Sequence, residues 1–120
     1  MPFAHERLDV YRRSIEFVGW TQQVAGSLKS TDSTRSQLER AATSIPLNIA
    51  EGNAKSTKKE RARYWRIALG STLECAAILD VLVVRGTRTE RETAQGKEQL
   101  ERIAAMLIGL LKRLDSKLEE

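Results

Sequence analysis

Catalysis by a nucleophile and a base needs a histidine or a matched set of titratable groups. The 120-residue chain holds one histidine, His5, near its amino-terminal end, where it reads as a solvated residue. Its one cysteine, Cys75, falls between Ser71 and Leu79 on the apolar stripe of a helix. That position predicts a buried, inert thiol. A lone cysteine makes no internal disulfide, which fits a reducing cytoplasm. A helical bundle can hold two metal ions through Glu-x-x-His pairs, and no such pair occurs. The glycines form no phosphate-cradling loop, since Gly70-Ser71 lies inside a helical pattern and no Gly-x-Gly-x-x-Gly is present. The expectation is a protein without catalytic residues, metal or cofactor.

The strongest chemical lead is a cluster of cations. Lys55, Lys58, Lys59, Arg61, Arg63 and Arg66 crowd one stretch against only Glu60. Cations at a helix amino terminus oppose the macrodipole, so their density there suggests a positive surface with a use. Phosphates of RNA, or less readily DNA, are the partner such a surface fits, and a solvated charged face is the other reading. Tyr64 and Trp65 sit among these cations, Tyr64 reading as core-facing and Trp65 as an edge residue. The net charge of +4 permits an anionic partner without requiring one.

The cluster must be held by the elements on either side. Before it, residues 36–53 read as a helix with Leu38, Ala41, Ala42, Ile45 and Ile49 on one side, the spacing of a core-facing stripe. Arg40, Ser44, Asn48 and Glu51 form a polar ladder on the opposite side. Arg40 and Glu51 are too far apart along it to pair with each other. Ser44 and Asn48 can bond the carbonyl freed by Pro46 or reach a neighbouring helix. Pro46 removes a donor mid-helix and should bend it, and Gly52 reads as its carboxy-terminal cap. The ladder is read as a structural network that fixes this helix against its partners.

After the cluster, Thr57 and Glu60 have capping-box spacing, so a third helix should run from there to about Arg85. Tyr64, Ala68, Ser71, Cys75, Leu79 and Leu82 are its expected core stripe. Its far side carries a second row, Gly70, Leu73, Ala77, Val81 and Val84, where a solitary bundle would place charge. Small residues admit a close backbone and apolar ones need covering, so the row reads as a subunit interface. Shielding by the first helix or by loops is the alternative.

Two more helices complete the pattern. The first should span Glu6 to Gly26, with Leu8, Tyr11, Ile15 and Val18 on one stripe, and Val10, Phe17, Val24 and Leu28 on another beside Trp20. A polar linker beginning at Lys29 follows it. The fourth should run from Thr89, which has capping-box spacing to Glu92, to about Lys117 before a fraying tail, with Gly96 a weak point. Its stripe is Leu100, Ile103, Ala104, Leu107, Leu111, Leu114 and Leu118, widened by Met106 and Leu110. Hydrophobic content of 41% and charged content of 30% suit one soluble domain over residues 1–120. No apolar run is judged to approach the roughly 18 residues that span a bilayer, so no membrane partner is expected. The predicted fold is all-α, an up-down-up-down four-helix bundle.

The stretch from Gln37 to Gly52, Gln-Leu-Glu-Arg-Ala-Ala-Thr-Ser-Ile-Pro-Leu-Asn-Ile-Ala-Glu-Gly, resembles the signature of the small four-helix-bundle proteins encoded in intervening sequences of bacterial 23S ribosomal RNA genes, the S23-like family. Ile67-Ala68-Leu69-Gly70-Ser71-Thr72-Leu73-Glu74 resembles that family's second motif, and Leu8-Asp9-Val10-Tyr11 its usual opening. The fold is also similar to that of the accessory variability determinant of diversity-generating retroelements, a basic pentameric barrel that binds RNA and a reverse transcriptase. The resemblance implies a ring-like homopentamer without enzymatic activity. The mixed charges opening helix four, Glu90, Glu92 and Glu98 beside Arg88, Arg91 and Lys97, argue against a uniformly cationic barrel.

The expected function is that of a cytoplasmic, oligomeric nucleic-acid-binding accessory protein. Lys55, Lys58, Lys59, Arg61, Arg63 and Arg66 contact phosphates in this reading, in support of a reverse transcriptase or another RNA process. The alternative is an oligomeric scaffold that docks an acidic protein through the same turn.

Overall fold

A computed structural model describes residues 3–119, and side chains from 3 to 115. One turn of 3-10 helix, Ala4–Arg7, precedes four α-helices: α1 (Asp9–Ala25), α2 (Ser33–Ala54), α3 (Lys58–Val84) and α4 (Glu90–Glu119). No strand occurs among the described residues. α1 packs on α2 and α4, and α3 packs on α2 and α4, while α1 and α3 lie diagonally apart. Sequential helices run antiparallel, as the pairs Arg40–Glu74 and Lys55–Glu51 beside Tyr64 show for α2 and α3, and Lys97–Asp80 and Arg66–Asp115 for α3 and α4.

The helix ends are set by local chemistry. Asp32 caps α2 by accepting the Thr34 N–H at 2.9 Å, so α2 begins three residues before the expected Ser36. Thr57 accepts the Glu60 N–H at 3.2 Å and starts α3. Thr89 and Glu92 form a reciprocal capping box, with Thr89 N–H donating to Glu92 Oε1 at 2.8 Å and Glu92 N–H to Thr89 Oγ1 at 3.1 Å. The hydrogen bonds from Thr89 hold the Glu92 carboxyl below its ordinary value. α3 closes in a Schellman motif, Gly86 N–H to Val83 O and Thr87 N–H to Leu82 O, with Gly86 at φ 75°. At the amino-terminal end the expected single helix from Glu6 is interrupted. Leu8 is extended, and Arg12 reaches back to Asp9 and to the Glu6 carbonyl, so the true helix starts at Asp9.

The core takes one side of each helix. Val10, Phe17, Trp20, Val24 and Leu28 are buried, whereas Ile15 on the other expected stripe is 45% exposed. Leu38, Ala41, Ala42, Ile45 and Ile49 are buried on α2, and Leu100, Ile103, Leu107, Leu111 and Leu114 on α4. Ala104, Met106 and Leu110 are half-buried at the edge of that stripe. The side chain of Leu118 lies outside the described residues, and α4 itself continues to Glu119, two residues past the expected Lys117.

Two glycines do work other than that expected. Gly52 does not end α2, which continues to Ala54 with Lys55 as its cap. It is buried against the Trp65 indole, where an added Cβ would lie 2.6 Å from Cδ1 and Nε1. Gly96 lies under the Trp20 indole, and an added Cβ would enter that ring. Each indole approaches a helix backbone that only glycine leaves open.

α3 carries a longer apolar run than expected. An 18-residue window of Lys58–Val84 reaches a mean hydropathy of 2.0, enough by length and composition to cross a bilayer, with 33% of the window buried. Its two charges, Glu74 and Asp80, interrupt the run without bringing the average below that of a span. The richness comes from two apolar sides, one facing the core and one facing out.

Gly96→Ala should lower stability by about 1–3 kcal/mol through overpacking against Trp20. Gly19→Ala, mid-helix with nothing within 4 Å of the added carbon, should raise it by about 0.5–1 kcal/mol. Urea denaturation followed by circular dichroism checks both signs.

Candidate nucleic-acid interface

The α2–α3 turn is built around Trp65. Its indole N–H donates to the Ile49 carbonyl at 3.2 Å, and its ring rests on Gly52. Trp65 is therefore a core residue, 4% exposed, and Tyr64 is the half-buried one. This exchanges the expected places of the two aromatics by one position along the helix. The cause is the close approach of α2 at Gly52, which turns the face of α3 that carries Ala62, Trp65 and Ala68 inward.

The six cations take three different roles. Arg61 turns back along the chain and donates to the carbonyls of Lys55 at 3.0 Å and Asn53 at 3.5 Å. Its guanidinium thus satisfies the open carbonyl end of α2, where positive charge suits the dipole. It also lies 5.9 Å from the Trp65 ring centroid. Lys55 pairs with Glu51 at 3.4 Å and Arg66 with Asp115 at 3.5 Å. Lys58, Lys59 and Arg63 point outward. Lys59 and Arg63 have no carboxylate partner among the described residues. Lys55 and Arg63 both lie over the Tyr64 ring, 5.0 and 5.4 Å from its centroid. The structure therefore brings two carboxylates, Glu51 and Asp115, to a cluster that the linear sequence sets against Glu60 alone.

The polar ladder of α2 joins the two helices. Ser44 and Ser71 share a hydrogen bond of 2.8 Å across the seam. Asn48 donates to the Ser44 carbonyl at 2.9 Å and to its hydroxyl at 3.0 Å. Arg40 pairs with Glu74 at 3.4 Å. Arg40 and Glu51 take separate partners. α2 passes through Pro46 as one helix, and Asn48 bonds the carbonyl of Ser44 rather than that of Ala42.

The outer row of α3 is bare on the single chain. Leu73 is 58% exposed, Val81 40% and Val84 88%, with Gly70 and Ala77 also exposed. Neither α1 nor a loop covers them. Ile67, 42% exposed, extends the row by one turn towards the basic end. Its i, i+3 spacing to Gly70 is the sequence signal that places it on this row.

Cys75 is fully buried, and burial pushes its thiol from 9.0 up to about 12, with the neighbouring Glu74 charge adding to the rise. Among the described residues no group of three or more His, Cys, Asp or Glu side chains could hold a metal ion. His5 stacks on Phe3 and meets the edge of Tyr11 at 4.6 Å between centroids.

Because folding favours the neutral thiol, Cys75 should subtract stability as pH rises from about 9 towards 12, where only the unfolded chain gains the thiolate. A thiol reagent at pH 8 should label native protein at the rate of global unfolding, and urea should release the labelling. Rapid native labelling would contradict the burial.

Among solved structures, the chain is similar to a crystal structure of a protein with unknown function from the S23 ribosomal protein family of Bacteroides thetaiotaomicron. The two share 22% identity and a TM-score of 0.81, over 86% of this chain and 98% of that one, which establishes a common fold. No curated protein matches. The family model described as 23S rRNA-intervening sequence protein matches residues 6–109. With that match spanning most of its length, from before α1 into α4, the chain belongs to the 23S rRNA-intervening sequence protein family.

Proposed function

We propose that this chain is a non-enzymatic accessory protein that binds nucleic acid as an oligomer. The observation that carries the reading is the outward display of Lys58, Lys59 and Arg63 on the first turns of α3. There the macrodipole opposes positive charge, and neither Lys59 nor Arg63 has a carboxylate partner among the described residues. Lys55 and Arg66 flank them in surface ion pairs of the kind worth little in water, so both can exchange a carboxylate for a phosphate. Arg61 contributes by shaping the turn.

The oligomer rests on the outer row of α3. Gly70, Leu73, Ala77, Val81 and Val84 offer a second copy an apolar strip with room at Gly70, where an added carbon meets nothing within 4 Å. A head-to-tail contact closes into a ring where its rotation per subunit divides a full turn. Five subunits, and service to a reverse transcriptase or another RNA process, are what the family resemblance adds. In such a ring each copy's basic turn joins its neighbours'.

Titration of a labelled RNA 20-mer should give an affinity that falls steeply with salt, the mark of counterion release. The Lys59→Glu, Arg63→Glu double variant should weaken it about tenfold or more. A salt-independent affinity, or one untouched by the double variant, would overturn phosphate binding at this turn. Gly70→Leu should leave helicity intact and reduce the mass seen by light scattering; an unchanged mass would remove the interface from this row.

A further inference from the structure

Where α1 begins and α4 ends, the two helices part around a groove of about 530 Å³. Its floor is aliphatic, formed by Leu8, Val10, Met106 and Leu110. Gly109 leaves the floor open, since a carbon added there would meet nothing within 4 Å. The rim is basic. Arg12 is held by Asp9 at 2.5 Å, which neutralises the one acid among the described lining residues. Arg7 and Arg113 have no carboxylate partner among the described residues.

An aliphatic floor under two unpaired guanidiniums selects an occupant that is apolar on one side and acidic on its flanks. The lining on α4 runs from Met106 to Arg113, about 10 Å or two helical turns. A helix laid along it would cover the lining contributed by both α1 and α4. Met106 can adapt to an incoming side chain, and Gly109 admits a close backbone. Among the described residues none in the lining is aromatic, so a nucleic-acid base finds nothing there to stack on.

We propose that this groove binds an acidic amphipathic helix of a partner protein. It lies between α1 and α4, at the same pole as the α2–α3 turn but on another side, and none of the turn's residues lines it.

The test uses a fluorescein-labelled synthetic peptide of about 16 residues, with Leu at i, i+3, i+4 and i+7 and Glu on both flanks, and a control with Lys in place of Glu. Anisotropy with the full chain should show the Glu peptide binding at least about tenfold tighter than the Lys peptide. Gly109→Leu should fill the floor and weaken the Glu peptide about tenfold or more, with the melting temperature kept. Arg7→Glu with Arg113→Glu should reverse the preference between the two peptides, a readout that stands even if Gly109→Leu misfolds. Equal binding of both peptides, or a preference that survives the arginine reversal, would overturn the proposal. So would a drop in solution mass for Gly109→Leu, which would make a second copy the occupant. Lys59→Glu with Arg63→Glu should leave the Glu peptide bound; loss of peptide there would place its site at the turn and overturn the groove. A failure of RNA binding with peptide binding intact would remove the proposed function and leave the groove.

Discussion

Each of the two tryptophans rests on a glycine of a neighbouring helix. Trp65 lies on Gly52 and joins α3 to α2; Trp20 lies on Gly96 and joins α1 to α4. An indole is too large to enter a seam lined by ordinary side chains, so these contacts exist only where the opposite backbone carries no Cβ. They set how closely each helix pair approaches and which face each helix turns inward. The rest of the bundle follows from that rotation.

The rotation of α3 has the widest consequences. With Trp65, Ala68, Cys75, Leu79 and Leu82 inward, an equally apolar row is left facing out. The same helix therefore has the hydropathy of a membrane span and the packing of a bundle member. Polar side chains hold it in register: the Ser44–Ser71 bond and the Arg40–Glu74 pair tie it to α2, and Lys97–Asp80 ties it to α4. Thr72 satisfies its buried hydroxyl on the Ala68 carbonyl, so the polar atom costs little inside the core.

The charge of the molecule is distributed by the antiparallel order of its helices. The end of α2, the start of α3, the start of α1 and the end of α4 meet at one pole. The cations of the α2–α3 turn and those beside the α1–α4 groove share that pole from different sides. Arg61 and Arg12 are spent on local structure, one on the carbonyls ending α2 and one on the start of α1. Lys59, Arg63, Arg7 and Arg113 remain available to partners.

Much of this was determined by sequence alone. Four periodic apolar patterns, the Thr57 and Thr89 caps and the glycine after Val84 specify four helices and their order, because each is a local rule acting within a few residues. The three family motifs, placed on α1, α2 and α3, also lie in the sequence itself. Only the tertiary structure decided that Gly52 and Gly96 seat indoles, that Trp65 rather than Tyr64 enters the core, and that Arg61 caps a helix while Arg63 faces water. It alone brought Arg7 and Arg113 to one groove. These outcomes depend on how two helices are rotated against each other, and periodicity along one helix leaves that angle free until a neighbour's side chains fill the seam.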